Sequence, residues 1–573
     1  MKGSDYIIKF LQAQGVECIF EVAGGMITHI IDSAYRQKLR LVSMHHEQAA
    51  AFAADGMARI TGIPGIALAT SGPGATNLLT GIGSCYFDSV PALFITGQVN
   101  RSEQKGTRPV RQLGFQETDI ASMSAAVTKG AFRVKSPDEL PILLESAFKL
   151  AVSGRPGPVV FDIPFDVQRA EISTKQLEKY SYQNQGTFSP DSARDLVAAL
   201  KSARRPLILA GGGLWSSRSA GMLGRLLDII HVPVACSLMA LDVLPYDHTL
   251  RVGFIGSYGN RWANVALGRC DFLLVLGSRL DIRQTGADTD FIRNGRTIFH
   301  VDCDPGEINN RVTGCFPLVG DLRLFFESLL STLPRDASFP RYEDWLTEIS
   351  ELKNKWPDTE ELKNISGINP NAFMHELSRC SKSAAAFVSD VGNHQMWAAQ
   401  SLELCEGQRF ITSGGMGAMG SGLPLAIGVC YACNQKPVVL VAGDGGFQVN
   451  IQELQTVYQN DLPIKMVIMN NISYGMVRQF QETYFEKRYQ STYWGYSAPD
   501  FERIAEAYGI ASVSIESQDE VGASLEKMWR ESSKPFLLQV MIDPFTKAYP
   551  KIAFGRPITE MEPLAKPLDM EGT

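Results

Sequence analysis

Two neighbouring apolar runs in the last third of the chain end in residues that could bind a metal ion and a phosphate. Asp444 follows the run Val438–Val441, and Asn471 follows the run Lys465–Met469. Their side-chain oxygens suit Mg²⁺, which takes a few protein oxygens and completes its coordination with phosphate. The spacing predicts a magnesium–phosphate site at the carboxyl ends of adjacent strands. Glycines around the aspartate let the backbone approach a phosphate and donate N–H groups to it; they are Gly443, Gly445 and Gly446.

The elements that must position these residues are short apolar runs that alternate with helix-period stretches along the whole chain. Such alternation is typical of βα units on parallel sheets. Two polar segments, Lys175–Pro190 and Pro334–Asn369, are interpreted as linkers. We therefore predict the α/β class, with three open, mostly parallel-sheet domains and a C-terminal tail, over residues 1–180, 190–335, 365–550 and 551–573.

The predicted strands are continuous apolar runs, as expected for strands buried on both faces of a sheet. In the first domain they lie near Val16–Phe20, Leu41–Ser43, Gly65–Thr70, Ala92–Thr96 and Val159–Ile163. In the second they lie near Leu207–Ala210, Val232–Cys236, Phe272–Leu276 and Thr297–Val301. In the third they lie near Ala385–Val388, Val438–Val441, Lys465–Met469 and Leu537–Val540.

Composition excludes several classes of function. The chain has 573 residues and a net charge of -7, with scattered Lys and Arg, which argues against a nucleic-acid partner. No apolar run approaches the ~18 residues of a membrane helix, so no membrane partner is expected. The ten cysteines are dispersed, as in a reducing compartment, and no signal or transit segment is recognised. A cytoplasmic protein is expected.

The pairing of Gly-Asp-Gly with Asn470-Asn471 resembles the signature of thiamine-diphosphate enzymes. Beyond it, the whole chain is similar to the acetolactate synthase large-subunit family. The segments that carry this resemblance are Met44–Ala50, Phe52–Arg59, Ser71–Asn77, Phe115–Glu117, Gly154–Pro158, Gly277–Arg283, His300–Asp304, Asp390–Trp397, Gly414–Pro424 and Gly475–Arg478. The resemblance implies a pyrimidine-binding, a central FAD-type and a diphosphate-binding domain, in that order.

For the cofactor, the resemblance implies that Glu47 activates thiamine diphosphate by hydrogen bonding its aminopyrimidine. The helix dipole alone also favours an acidic residue in the first turn of a helix, which is the structural alternative for Glu47. The carbonyl of Ser473 would be the third ligand of Mg²⁺, beside Asp444 and Asn471. The other implied cofactor contacts are Pro73, Asn77, Asn393, His394, the carbonyl of Gly417, and Met419, whose alternative role is to fill the core.

The central domain of that family binds FAD, which has no redox role in the reaction. The residues expected to hold it are Gly211, Gly212, Gly213, Arg279, Asp281, Asp302 and Asp304. The three glycines after a strand are by themselves a weak sign of a dinucleotide, because an ordinary turn explains them equally well.

On the substrate side, Phe115 and Gln116 would border the reaction intermediate, and Arg283 would hold the carboxylate of the acceptor. Phe480 and Lys129, which is also a mark of the family, are assigned to the acceptor side as well. Several residues depart from the family pattern; they are Asn100, Phe165, Tyr258, Ile282 and Phe480. A basic stretch, Arg101–Arg111, is also longer than the family's loop, and it could bind an anionic acceptor through Arg108 and Arg111 or be a solvated surface.

The resemblance implies a transferase that decarboxylates pyruvate to hydroxyethyl-thiamine diphosphate and transfers the acetyl unit to a second 2-keto acid, as in branched-chain amino acid biosynthesis. One alternative is acetyl transfer to a larger keto acceptor such as a nucleotide-linked deoxyketosugar. A simple decarboxylase or oxidase is a further alternative, whereas a catalytically inactive regulatory or scaffold paralogue is disfavoured because Glu47, Asp444 and Asn471 are all present. The family also implies a homodimer or homotetramer with active sites at the subunit interface; a regulatory small subunit cannot be inferred from this chain.

Overall fold

The protein is described by a computed structural model that covers residues 1–173, 177–180, 188–333 and 339–569. It contains three six-stranded sheets, and all the neighbouring strands in each of them are parallel. The predicted fold class is therefore confirmed. Within the described residues, no helix has the length and apolar character needed to cross a membrane.

The first sheet has the order β2-β1-β3-β4-β6-β5. Its strands are β1 Cys18–Glu21, β2 Arg40–Ser43, β3 Gly65–Ala69, β4 Ala92–Gln98, β5 Gly130–Arg133 and β6 Pro158–Pro164. Its α-helices are Gly3–Ala13, Thr28–Arg36, Glu47–Thr61, Pro73–Asn77, Leu79–Asp88, Ile120–Ser124, Leu140–Val152 and Phe165–Arg169.

The central sheet has the order β12-β11-β10-β7-β8-β9, with strands β7 Pro206–Ala210, β8 Val234–Cys236, β9 Arg251–Phe254, β10 Phe272–Leu276, β11 Thr297–Asp302 and β12 Phe316–Val319. The α-helices of this part of the chain are Pro190–Ser202, Gly213–Ser216, Ala220–Ile230, Arg261–Arg269, Ile282–Thr285, Thr289–Arg293, Leu322–Thr332 and Glu343–Lys355.

The third sheet has the order β14-β13-β15-β16-β18-β17, with strands β13 Ala386–Ser389, β14 Arg409–Thr412, β15 Val438–Gly443, β16 Ile464–Asn470, β17 Ala511–Ile515 and β18 Phe536–Met541. Its α-helices are Pro370–Cys380, Asn393–Ser401, Gly422–Ala432, Asp444–Val449, Leu454–Gln459, Gly475–Tyr484, Phe501–Ala507 and Val521–Trp529. A two-stranded antiparallel pair follows, β19 Lys551–Ile552 and β20 Met561–Glu562.

In the three six-stranded sheets, the strands that sequence analysis missed all lie at the edges: β5, β9, β12, β14 and β17. An inner strand of a parallel sheet is covered on both faces and appears in the sequence as an unbroken apolar run. An edge strand is partly solvated; in β12, for example, Phe316, Pro317 and Val319 are exposed and only Leu318 is buried. In sequence, β12 is also short, and Pro317 interrupts its apolar run, so it gave no clear strand signal.

Two segments were predicted to be linkers between the domains. Most of Lys175–Pro190 lies outside the described residues. The second predicted linker, Pro334–Asn369, contains the helix Glu343–Lys355, so its interpretation as a linker is wrong over that range. Trp345 of this helix is buried in the central core, and its indole N–H donates to the carbonyl of Pro206 at 3.0 Å. Sparse apolar residues at helical spacing are enough to dock such a helix.

The C-terminal tail packs on the central domain as far as the structure describes it; residues 570–573 lie outside the described part. Ile552, Ile558 and Met561 are buried in the central core. The guanidinium of Arg261 donates to the carbonyls of Met561 and Glu562 at 3.1 and 3.0 Å. This segment thereby joins the end of the third domain to the central domain.

The first and third domains meet through two helices, Glu47–Thr61 and Gly422–Ala432. At their crossing, a Cβ on Gly56 would lie 2.4 Å from the carbonyl oxygen of Leu425, and one on Gly428 would lie 1.9 Å from that of Ala53. Only glycine permits this close approach of the two backbones. The contact sets the position of Glu47 relative to the glycine-rich segment that precedes the second helix.

Candidate functional site

Asp444 begins the helix Asp444–Val449 directly after β15, which continues to Gly443 rather than ending at Val441. The register pairs Gly443 with Met469, so the aspartate lies beside the end of β16. Its side chain is buried, and the hydroxyl of Tyr496 donates to Oδ2 at 2.8 Å. Burial raises the pKa of Asp444 to about 6, because removing the carboxylate from water disfavours its charge. A cation at this place would restore the charged form.

Asn471 and Ser473 form a tight turn at the end of β16, and both are buried. Ile472 between them has a φ of 47°, in the left-handed region that branched residues rarely adopt. A Cβ on Gly475 would lie 2.7 Å from the amide nitrogens of both Asn393 and Asn471. The residues that follow β13 and β16 therefore converge on one point next to Asp444, as predicted.

His394 lies against the end of β15. A Cβ on Gly443 would lie 2.8 Å from its Nδ1, so the imidazole packs closely on this glycine. Burial lowers the pKa of His394 to about 3, which keeps the ring neutral. Three buried polar atoms in this region have no hydrogen-bond partner within the described protein: His394 Nε2, Asn393 Oδ1 and Ser473 Oγ. Buried polar groups normally have partners, and a bound diphosphate would accept hydrogen bonds from the Ser473 hydroxyl and from His394 when its Nε2 carries the proton.

Asp390 is a functional residue that sequence analysis quoted but assigned no role. Its carboxylate is fully buried at the end of β13 and accepts from the backbone N–H groups of Val391 and Gly420, at 2.6 and 3.1 Å. A Cβ on Gly446 would lie 3.0 Å from its Oδ2. Asp390 thus ties the segment before Gly422–Ala432 to the helix that begins with Asp444. The sequence signal that could have identified Asp390 is its presence in the same motif as Asn393.

The glycine-rich segment is exposed where the cofactor contacts were expected. Gly417 has a φ of 65°, and Met419 has a relative exposure of 37%. The alternative role of Met419 as a core residue is therefore wrong for this chain. The sulfur of Met416 would lie 3.1 Å from a Cβ on Gly83, which brings this segment against the first domain.

Glu47 is the first residue of its helix and is half-buried. Asn77, at the end of the helix Pro73–Asn77, donates its amide to Glu47 Oε2 at 2.9 Å. A Cβ on Gly74 would lie 3.2 Å from Glu47 Oε1, so the carboxylate lies close to the backbone of that helix. The structure joins three predicted residues here: Pro73 starts the helix, and Asn77 at its end orients Glu47.

Gln116 and Phe115 lie in a loop of the first domain near Gly72. Gln116 has a φ of 65°, and its Cβ would lie 2.9 Å from a Cβ on Gly72. Phe115 has a relative exposure of 79%, the value of a large apolar side chain without cover in the single chain. The two predicted residues therefore lie together on an open face beside the helix that carries Asn77.

A cavity of about 670 Å³ lies between the three domains. Residues from the first and third domains, such as Arg59 and Arg409, complete its lining. A Cβ on Gly211 would lie 2.1 Å from the carbonyl oxygen of Gly277, so the glycines bring two strand ends together. The size of the cavity and its basic and apolar lining fit a dinucleotide. The predicted FAD residues among its lining are Gly212, Gly213, Arg279, Asp281 and Asp302.

Two of the predicted FAD residues have structural contacts of their own. Asp281 accepts from the backbone N–H of Arg283 at 2.9 Å, as the cap of a short helix, and forms an ion pair with Arg279. Asp304 forms an ion pair with Arg155 of the first domain at 3.3 Å, and it does not line the cavity. Asp304 therefore acts at the border of the two domains.

The predicted acceptor residues do not form one cluster. Arg283 is exposed and lines the central cavity. Phe480 lies on the helix Gly475–Tyr484, and its ring is 4.8 Å from that of Tyr484. The ammonium group of Lys129 donates to the carbonyl of Ser153, and burial lowers its pKa to about 8. Lys129 thus supports a loop of the first domain, and this geometry gives no support to an acceptor contact.

The basic stretch is partly neutralised within the chain. Arg101 forms an ion pair with Asp166 at 2.7 Å. Arg108 donates to the carbonyl of Gln104 at 3.1 Å, and Arg111 is exposed. This arrangement is that of a solvated surface loop, so it does not favour binding of an anionic acceptor by Arg108 and Arg111.

The comparison with known proteins agrees with this geometry. Models of the thiamine pyrophosphate enzymes match the N-terminal TPP binding domain over residues 1–123, the central domain over 193–329 and the C-terminal TPP binding domain over 390–540. A probable acetolactate synthase large subunit of Methanocaldococcus jannaschii is 37% identical, covering 98% of this chain and 95% of its own length.

Two further relatives carry the same description. The acetolactate synthase isozyme 2 large subunit of Escherichia coli is 36% identical, over 98% of this chain and 99% of its own length. The acetolactate synthase large subunit of Lactococcus lactis is 34% identical, over 98% of this chain and 96% of its own. With three matching domains and full-length similarity, the chain belongs to the thiamine pyrophosphate enzymes of the acetolactate synthase large-subunit family.

Proposed function

We propose that this protein decarboxylates pyruvate and joins the acetyl unit to the keto carbon of a second pyruvate or another small 2-keto acid. The observation that carries the proposal is the convergence of Asp444, Asn471 and Asn393 at the ends of three adjacent strands. Relatives named acetolactate synthase, similar over the whole chain, support this reaction over a simple decarboxylase or oxidase. Since Arg101 is ion-paired and Arg108 bonds within its loop, no contact favours a nucleotide-linked acceptor.

In this proposal, Asp444, Asn471 and the carbonyl of Ser473 bind Mg²⁺, which holds the diphosphate of the cofactor. Hard oxygen ligands and few protein contacts are what Mg²⁺ requires. Asn393 and His394 contact the diphosphate, and backbone N–H groups of Gly445 and Gly446 add further donors; Gly443 leaves room for the imidazole. The chemistry that bound thiamine diphosphate supplies is a nucleophilic thiazolium carbon and an electron sink for the acyl carbanion.

Glu47 exchanges a proton with the aminopyrimidine in this proposal, and Asn77 keeps its carboxylate in the required orientation through the 2.9 Å hydrogen bond. The carbonyl of Gly417 and the side chain of Met419 position the ring system from the third domain. Gln116 and Phe115 border the reacting carbon and limit access of water to it. Asn77, Gly417 and Met419 thus act by orientation, which contributes much of the rate in such reactions.

We further propose that the central cavity binds FAD without a redox role. The cavity of about 670 Å³ and the strand ends at Gly211 and Gly277 support this assignment. Arg279 and Arg283 line the same cavity. Arg283 would hold the carboxylate of the acceptor where the cavity meets the reaction site, and Phe480 would set the room available to its side chain.

A homodimer is the smallest assembly that we propose to be active. Glu47 and Asp444 lie in different domains, and large apolar side chains of these two domains are exposed in the single chain. These side chains are Phe87, Phe115, Met123, Met416 and Met419. Pairing of the first domain of one subunit with the third domain of another would cover them and complete the site.

Product analysis tests the proposed function. The protein, with thiamine diphosphate and Mg²⁺, is incubated with pyruvate alone and then with added 2-keto acids, and the products are quantified. We expect acetolactate from pyruvate alone and mixed acetohydroxy acids with a second acceptor, and none from the Asp444→Ala variant. Acetaldehyde or acetate as the main product would overturn the proposal in favour of a decarboxylase or an oxidase.

A further inference from the structure

One carboxylate organises the loop that carries the residues bordering the reaction. Glu117 accepts a hydrogen bond from the backbone N–H of Lys105 through Oε1, at 2.7 Å, and from that of Leu113 through Oε2, at 2.8 Å. The Glu117 backbone N–H also donates to the carbonyl of Gly114 at 3.1 Å, and its carbonyl accepts from the Gln112 side chain at 3.1 Å. A single side chain thus closes the long basic stretch onto the segment that contains Phe115 and Gln116.

The neighbouring Gln116 is held in a conformation that it would not adopt by itself. Its φ of 65° lies in the left-handed region, which a non-glycine residue occupies only when its surroundings require it. On the far side, the Thr118 hydroxyl donates to the carbonyl of Gln116 at 3.3 Å, and buried Gln98 donates to the carbonyl of Thr118 at 2.7 Å. Gln116 is therefore fixed between Gln98, which is anchored in β4, and Glu117.

We propose that Glu117 is a positioning residue of the reaction: its carboxylate holds the loop so that Gln116 and Phe115 face the reacting carbon. This inference rests on the proposed function. Glu117 thereby gains a role although its side chain contacts only its own loop. The same contacts connect the exposed basic stretch to the site. Glu117 acts through Gln116 and touches no substrate itself.

The chemistry of the side chain makes the inference specific. A carboxylate has two acceptor oxygens, and each one receives a backbone N–H. A glutamine of the same shape has one acceptor, and its amide N–H groups would face a backbone N–H, so one of the two bonds is lost. An alanine loses both. The loop should therefore loosen in the order Glu, Gln, Ala.

Loosening this loop should change how the bound acyl group is used more than whether it forms. Gln116 and Phe115 exclude water and orient the acceptor, so misplacing them allows protonation of the acyl carbanion to compete with ligation. Small errors in position cost as much as about 100-fold in rate. We expect Glu117→Ala to lower kcat for acetolactate about 10- to 100-fold, to raise the fraction of acetaldehyde, and to leave thiamine diphosphate affinity unchanged.

The experiment uses the full-length protein with thiamine diphosphate and Mg²⁺ and compares wild type with Glu117→Gln and Glu117→Ala. The readouts are kcat and KM for pyruvate, the ratio of acetolactate to acetaldehyde, cofactor affinity, and the rate of trypsin cleavage after Lys105 and Arg111. The matched control is Glu103→Ala. Glu103 lies in the same loop, and its carboxylate caps Asn100, without a bond to the Phe115–Glu117 segment.

A graded shift toward acetaldehyde and faster cleavage in both Glu117 variants, with Glu103→Ala like wild type, supports the inference. If the product ratio of both folded variants equals that of wild type, Glu117 only stabilises the loop and the inference is wrong. Should Glu117→Ala not fold, the isosteric Glu117→Gln decides the question by the same ratio. Failure of the wild type to make acetolactate would instead overturn the proposed function.

Discussion

The two halves of the candidate site are built in different ways. In the third domain, Asp444, Asn471 and His394 follow inner strands of a sheet, and their side chains are almost completely buried. In the first domain, half-buried Glu47 begins a helix, and Phe115 lies in a loop with 79% of its surface exposed. The first half is packed inside its domain, whereas the second half lies open in the single chain. The difference indicates that binding of the diphosphate and activation of the cofactor can be separated by mutation.

Among the variants that test this difference between the two halves, Asp444→Ala is expected to have the largest effect. The variant removes the only charged ligand proposed for Mg²⁺, so we expect loss of metal-dependent binding of thiamine diphosphate. Titration of cofactor fluorescence or absorbance with Mg²⁺ present measures it. Asp461→Ala is the control, because Asp461 lies on the surface of the same domain and pairs with Lys534. Equal cofactor affinity in Asp444→Ala and wild type would refute the assignment.

Glu47→Gln should leave cofactor binding intact and slow its activation. Loss of a proton-transfer partner costs about 10²- to 10⁴-fold. The measurement is hydrogen–deuterium exchange at the thiazolium carbon of the bound cofactor. Glu145→Gln, on the outer helix Leu140–Val152, is the control. An unchanged exchange rate in Glu47→Gln would mean that another residue activates the cofactor, and the distinction between the two halves would then disappear.

Mixing the two inactive variants tests whether the halves come from different subunits. In a mixed dimer of Glu47→Gln and Asp444→Ala chains, one of the two sites combines a native Glu47 with a native Asp444. We therefore expect activity to return when subunits exchange, measured as acetolactate formed after mixing. Exchange that is demonstrated by labelled chains but yields no activity would contradict a shared site.

A smaller, pH-dependent effect on stability is expected from His375, which lies near the far end of the helix that begins with Asn393. The helix Asn393–Ser401 carries Asn393 and His394 at its start, and near its end Ser401 donates to Asp358. His375 bonds both Asp358 and Glu403, at 3.0 and 2.9 Å. Burial lowers the pKa of His375, but these carboxylates raise it more, so the pKa lies above its ordinary value.

The sign of the effect follows from that shift. A histidine with a raised pKa in the folded state stabilises the fold fully below its ordinary pKa, near 6.5, and this contribution is lost as the pH rises through the raised value. We expect His375→Gln to lower the free energy of unfolding by roughly 2 kcal/mol at pH 5.5 and by less at pH 9. Denaturant unfolding at both pH values measures it, with His231→Gln in the central domain as the control. A pH-independent difference would contradict the charged state of His375.

Much of the fold and part of the candidate site could be predicted from the sequence, because inner strands and the residues at their ends form local patterns. Inner strands of parallel sheets are unbroken apolar runs, so three open α/β domains followed from periodicity. Glycines and an aspartate at one strand end, with an asparagine at the next, predicted a magnesium–phosphate site, and the structure brings Asp444 and Asn471 to neighbouring strand ends. Edge strands such as β12 and the docked helix Glu343–Lys355 were not recognised, because β12 has only four residues and contains Pro317, and because the apolar residues of the helix are sparse.

Only the tertiary structure decided which residues act together across long separations. No pattern in the sequence shows that Asn77 orients Glu47, that Asp390 accepts from the backbone of Gly420, or that Glu117 closes the loop at Lys105. It also shows the ammonium group of Lys129 bonded to the carbonyl of Ser153, a contact that gives no support to a role with the acceptor. Residue types and spacing along the chain determine what chemistry is possible. The distances that make a hydrogen bond exist only after packing has brought distant segments together.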